Sequence, residues 1–249
     1  MRTTIHYFFA FLALSILALS GCKKDDDTNN NNSNTQPTTT IGSSRQGGGV
    51  TDIEGNTYRT VIITVSNSKS TQANEQEWMA ENLKSTKYAN GNSINPQEMA
   101  VCNNDSTTVN GLGYLYTWNA LMNNTTVEGS QGACPDGWHL PTINEYNTLI
   151  NALGGASVAG KKMKSTDTTY WDNISLADNS SGFSALGSGW IMSGMVFFYK
   201  QATMFWTSTE ESAGSESAKL IQLNSNNQGA INMYGGGKDV KQSCRCVKN

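Results

Sequence analysis

Apolar residues follow three regimes along this chain. From Ile5 to Leu19 they run almost without interruption. From Thr28 to Gly49 they nearly vanish, leaving Asn, Thr, Ser, Gln and Gly broken only by Pro37, Ile41 and Arg45. From Val50 to Asn249 they return in short groups punctuated by Gly, Ser and Asn. The middle regime cannot bury enough apolar surface to offset chain entropy and reads as a disordered tether. The last, about 200 residues long, is the size of one folded domain.

Within that domain, Val50–Val65 predicts a hairpin that turns at Glu54-Gly55-Asn56, with β-branched residues in its second arm. A polar loop over 67–75 precedes Trp78, Met79 and Leu83, which return to the core. Residues 88–110 form a polar insertion carrying Cys102, and the close spacing of apolar residues over 112–122 predicts a short helix. The clearest element follows Pro141. Thr142 and Glu145 have capping-box spacing, Ile143, Tyr146, Leu149, Ile150 and Leu153 share one helical face, and Gly154-Gly155 stop the helix. Seven short strands are expected after it, over 183–186, 190–192, 196–199, 205–209, 219–223, 230–234 and 243–247. A hairpin turn at Asn226–Gly229 joins the fifth to the sixth.

The first regime sets the address. Arg2, a short apolar run and Leu19-Ser20-Gly21-Cys22 make a lipoprotein signal over residues 1–21, cleaved so that Cys22 receives the lipid. Such an anchor holds a chain on a bilayer without spanning it. Lys23-Lys24-Asp25-Asp26-Asp27 resembles the acidic export signal of Bacteroidetes lipoproteins sent to the outer leaflet. The expected location is therefore the outer membrane, lipid-anchored and facing the medium. Residues 22–49 serve as the tether and 50–249 as the domain.

Charge and composition narrow the chemistry. The chain has 17 basic and 20 acidic residues, with no basic block beyond Lys161-Lys162-Met163-Lys164, which argues against nucleic acid as a partner. Of its two histidines, His6 leaves with the signal. His139 alone cannot build a multi-histidine metal site. Four cysteines follow Cys22: Cys102, Cys134, Cys244 and Cys246. An even number in an exported domain predicts two disulfides, with three possible pairings. Cys244 and Cys246, two apart, face the same side of a strand, so each is expected to join one of Cys102 and Cys134. No CxxC knuckle supports zinc.

Several stretches together resemble one family. Asp52-Ile53-Glu54-Gly55-Asn56-x-Tyr58 and Glu77-Trp78-Met79-Ala80-Glu81-Asn82-Leu83 look like the opening of the Fibrobacter succinogenes major paralogous domain. Gly113-Tyr114-Leu115-Tyr116-x-Trp118 and Cys134-Pro135-x-Gly137-Trp138-His139-Leu140-Pro141-Thr142 continue the resemblance. Gly182-Phe183-Ser184-Ala185, Phe205-Trp206-Thr207-Ser208-Thr209-Glu210 and Cys244-Arg245-Cys246-Val247 complete it in order over 50–249. The resemblance implies an α+β, C-type-lectin-like domain with a small twisted antiparallel sheet, flanking helices and long loops. That core is also similar to formylglycine-generating enzymes. Where the family has a small apolar residue before Arg-Cys-Val, this chain has Cys244, which implies an extra disulfide with Cys102 in the insertion.

No catalytic set is legible. His139 near Cys134 reads as a packed histidine beside a disulfide, since no orienting acid is identifiable from sequence. The copper-binding cysteine pair of formylglycine-generating enzymes has no identifiable counterpart. The calcium motifs of sugar-binding lectins are missing, and Glu210, Glu211, Glu216, Asp167, Asp172 and Asp178 read as solvated loop carboxylates. No cofactor is therefore expected, calcium being the one held open. Among the loop aromatics, Trp190 and Trp206 read as core, while Tyr170, Trp171, Phe198 and Tyr199 are the candidates for contacting a ligand. The expected role is non-enzymatic binding or adhesion to a glycan or surface protein. A self-associating surface component, or a carboxylate-based enzyme on the same fold, are the alternatives.

Overall fold

The computed structural model describes residues 40–66 and 73–249. The signal over 1–21, Cys22, and the tether as far as residue 39 lie outside the described residues. Residues from Thr39 to Asn249 form one compact unit, mixed in class and mostly strand.

Among the described residues are fourteen strands and four short helices, all strand pairing within the sheets being antiparallel. In chain order the first strands are β1 (Ser44–Gln46), β2 (Val50–Thr51), β3 (Thr57–Tyr58), β4 (Thr60–Ser66) and β5 (Ala73–Met79). Then come β6 (Met99–Val101), α1 (Val109–Leu112), β7 (Tyr114–Tyr116), α2 (Trp118–Leu121), β8 (Trp138–His139), α3 (Ile143–Ala152) and α4 (Ala159–Met163). The C-terminal part holds β9 (Trp190–Met192), β10 (Met195–Phe197), β11 (Ala202–Glu210), β12 (Ser217–Asn224), β13 (Ala230–Gly237) and β14 (Val247–Lys248). The main sheet has the order β1-β4-β5-β14-β8, and a three-stranded meander runs β11-β12-β13. The pairs β2-β3, β6-β7 and β9-β10 stand apart.

The capped helix forms as its sequence predicts. Thr142 Oγ1 accepts from the Glu145 amide, and the Glu145 carboxylate accepts from the Thr142 amide. Tyr146 and Leu149 are fully buried, and Gly154 and Gly155 end the helix at φ values of +102° and +93°. This face, Trp78 from β5, Phe183, and Phe205 from β11 enclose the first core. Trp78 lies 4.7 Å from Tyr146, and Phe183 meets Phe205 edge-on at 5.8 Å. A second core gathers Tyr58, Trp118, Trp138, Trp206 and three cysteines. A third, smaller core holds Cys102, Leu112, Leu115, Leu186 and Ile191 beneath β6-β7 and β9-β10.

Several elements depart from the sequence expectation. The arm over 57–65 is two strands: β3 pairs with β2, while β4 crosses to β1 and β5. β1 lies within the stretch read as tether, since pairing through backbone bonds needs no apolar side chain. Residues 112–122 divide into β7, which pairs with β6, and the single turn of α2 capped by Thr117. The stretch over 183–186 makes only the isolated bridge Lys164↔Ala185. The C-terminal strand over 243–247 shortens to β14, where Val247 pairs with both Trp78 and His139.

The cysteines require the main correction. Cys134 and Cys246 are bonded, but Cys102 and Cys244 are free, buried thiols. They sit in separate cores, the third and the second, so the expected second disulfide does not form. Burial pushes the Cys102 thiol up to about 12 and raises that of Cys244 further, so neither is a thiolate near neutral pH.

Candidate functional site

The neighbours of His139 define its role. Cys134 is committed to a disulfide and supplies no thiolate. With the ring doubly protonated, His139 Nε2–H donates to Glu145 Oε1 at 2.8 Å and Nδ1–H to Asn249 Oδ1 at 2.6 Å. Glu145 is thus an acid partner that sequence reasoning missed. Its other oxygen accepts from the Thr142 amide at 2.8 Å, so the ion pair is built into the helix cap.

Burial opposes the imidazolium, but the Glu145 hydrogen bond and charge outweigh it and raise the His139 pKa. Burial likewise opposes the Glu145 carboxylate, and His139 with Thr142 lowers its pKa overall. The histidine contribution is complete below its ordinary pKa of 6.5 and is lost as pH rises through the raised value. The glutamate contribution is present above its ordinary 4.5 and is lost as pH falls through the lowered value. The pair therefore supports the fold best between these two values. Denaturant melts at pH 5.5 and 8 should show the parent losing up to about 1 kcal/mol more than His139→Gln over that interval. Equal losses would remove the charge from the account.

The ligand-contact candidates separate into two groups. Trp171 is 1% exposed, donates Nε1–H to the Ala185 carbonyl at 2.9 Å, and has the buried Lys164 ammonium 5.8 Å from its ring. It is a core residue, and its assignment to a binding surface is corrected. Tyr170 and Tyr199 come together instead as partly exposed walls of a cleft of about 220 Å³. Thr107, Thr108, Thr169 and Lys200 complete its polar lining.

Local chemistry explains this cleft. Asp105 caps the turn over Ser106–Thr108, accepting from the Thr107 amide and hydroxyl. Asp167 accepts from the Thr169 amide in a similar turn. Gly111 lets the tyrosine in: a Cβ there would lie 2.5 Å from Tyr170 Oη. Burial, Cys102, Asp105 and Tyr170 raise the Tyr199 pKa, keeping its hydroxyl a donor. Neither tyrosine hydroxyl nor the Lys200 ammonium has a hydrogen-bond or ion-pair partner among the described residues. The threonines and Lys200 were missed in the sequence because the 107–111 and 199–200 segments meet only through the third core.

Phe198 precedes Tyr199 in the chain but does not line the cleft, and it is 53% exposed. Its φ of +53° is unusual for a bulky side chain. This backbone turns the ring onto Trp190, with centroids 4.9 Å apart and planes 24° from parallel. Lys200, at φ +62°, repeats the left-handed conformation on the other side of Tyr199. Strain of this kind clusters where a surface is held ready for a ligand.

Other concavities are engaged differently. One of about 450 Å³ is bordered by Arg45 and Arg59, which already pair with Glu75 and Glu81. Among the described residues, the one group of three metal-ligating side chains in reach of one ion is Cys134, Cys244 and Cys246, two of them disulfide-bonded. Glu210, read from sequence as a solvated loop carboxylate, instead ends β11 and pairs, largely covered, with Lys238 at 2.5 Å, while Asp178 pairs with Lys161 at 3.6 Å.

A family model described as the Fibrobacter succinogenes major domain matches residues 72–248. The chain belongs to this family. No curated protein and no solved structure matches it. The family match starts at β5, so β1 and β4 extend the family's portion of the main sheet on its N-terminal side. The stretches carrying the family resemblance mostly build the interior: Trp78, Phe183, Phe205, Arg245 and Cys246 are all buried. All six cleft residues named above lie outside them.

Proposed function

We propose that this family member is a lipid-anchored outer-membrane protein whose domain is a non-enzymatic binding module for a glycan. A C-type-lectin-like arrangement of its small sheets, main helix and long loops is part of the same reading. The observation that carries the proposal is the Tyr170–Tyr199 cleft. Two aromatic rings line it, the Lys200 ammonium lies 5.7 Å from the Tyr199 ring centroid, and phenol hydroxyls without a hydrogen-bond partner among the described residues stand beside threonine side chains. A sugar ring needs this combination, an apolar face to stack on and donors for its hydroxyls. The cleft has room for about one such ring. Calcium has no required part in this recognition.

The test is a glycan array with residues 40–249, followed by calorimetry on the best ligand. Tyr199→Ala and Lys200→Ala should each weaken binding by about tenfold, the scale of one lost buried contact. A silent array, or full affinity in both variants, would reject this site.

A further inference from the structure

Hairpin β9-β10 presents an unusual outer face. Cross-strand register sets Trp190 opposite Phe197 and Met192 opposite Met195, all on one side. Ile191 and Val196 occupy the other side and pack on the third core. Met192 is 42% and Met195 59% exposed, so with Phe198 the hairpin region supplies three of the six exposed large apolar side chains among the described residues. No residue from Asn179 to Tyr199 carries a charge. Soluble surfaces rarely leave such a patch uncovered.

We propose that this hairpin docks the domain onto a lipid bilayer surface, seating Met192, Met195, Phe197 and Phe198 at the acyl boundary. The proposal rests on the membrane tethering proposed above. At about 3.3–3.6 Å per residue the chain from Cys22 to Thr40 reaches no further than about 65 Å, which keeps the domain close to the lipid.

The hairpin suits a bilayer better than a protein or sugar partner. Ser193 and Gly194, at φ +49° and +76°, make a two-residue turn, and the three residues of each strand are paired with the other. The Met192–Met195 and Trp190–Phe197 pairs and the Ile191–Lys241 bridge engage much of the hairpin's backbone, as apolar surroundings demand. Its outer face offers almost no polar group that a sugar or peptide could read. Trp190 is amphipathic, as side chains at a headgroup boundary are. Lys200 follows the hairpin and Lys241 bridges to Ile191. Lys241 forms no ion pair among the described residues and stands beside the hairpin, where it can meet anionic headgroups, while Lys200 belongs to the cleft.

Tryptophan emission gives a selective test. Trp78, Trp118, Trp138, Trp171 and Trp206 are buried, so quencher access reports chiefly on Trp190. Residues 40–249 would be titrated with vesicles of phosphatidylcholine, alone and mixed with phosphatidylglycerol. The expected result is a blue shift, protection from iodide and co-flotation, stronger on the anionic mixture. Met192→Ser/Met195→Ser should reduce partitioning at least about tenfold, while leaving far-ultraviolet dichroism and glycan binding intact. Unchanged emission and no co-flotation would overturn the proposal. So would protection of Trp190 by soluble glycans alone, or by self-association seen in sedimentation. Tyr199→Ala separates the two sites: it should weaken glycan binding without affecting vesicles.

Discussion

Replacing Arg245 by methionine should destabilise the domain by about 3 kcal/mol or more, because several buried acceptors lose their donor together. Arg245 is fully buried, with no carboxylate partner among the described residues. Its Nε–H donates to Asn82 Oδ1 at 2.6 Å and its Nη groups to the carbonyls of Met79, Phe183 and Ser184. The guanidinium carbon lies 4.8 Å from the Phe183 ring centroid and 5.6 Å from that of Phe205. Desolvating this cation is costly, and removing it would recover that cost. The loss is still expected to prevail, since methionine leaves all four oxygens buried without this donor. Arg245→Lys keeps the charge but cannot direct a planar fork at four acceptors, so it should be no milder. Urea melts of both variants would decide. A methionine variant within about 1 kcal/mol of the parent would mean that the recovered desolvation balances the network.

That network also shows what was legible in the sequence and what was not. Asn82, Phe183-Ser184 and Arg245 come from three separated stretches, each recognisable as family sequence, and all three converge on one buried cation. Local signals predicted their own elements well. The Thr142–Glu145 spacing gave α3, and Asn226–Gly229 gave the β12-β13 turn. Signals that depend on distant partners were misread. Trp171 and Phe198 are both loop aromatics, yet one is sealed beneath Ala185 and the other turned outward by a single positive φ. No local pattern separates them. Ser44-Arg45-Gln46 joins the main sheet without an apolar residue, so hydropathy assigned it to the tether. The outer face of β9-β10 was legible in principle. Trp-Ile-Met and Met-Val-Phe are apolar at every position, and a strand pair covered on one side leaves half of them facing water.

Removing the disulfide as Cys134→Ser/Cys246→Ser should cost about 3–5 kcal/mol, comparable to losing Arg245. The bond joins residues 112 positions apart, and closing a loop of that length restricts the unfolded chain strongly. It also ties β14, held between β5 and β8, to the segment leading into the capped helix. The single variant Cys246→Ser should cost clearly less than the double. The Cys244 sulfur lies within 4.8 Å of the other two, close enough for a modest shift of the Arg245 segment to bring it to Cys134. Burial raises the Cys244 pKa and keeps that thiol inert while the fold is closed, so the exchange belongs to refolding rather than to the native state. Refolded in a glutathione redox buffer, Cys246→Ser should yield a Cys134–Cys244 bond in peptide mapping, with stability between parent and double variant. Recovery of both as free thiols, with the full loss of the double variant, would show that the third sulfur cannot substitute. The small residue that the family otherwise has at position 244 would then be equivalent to cysteine for the fold.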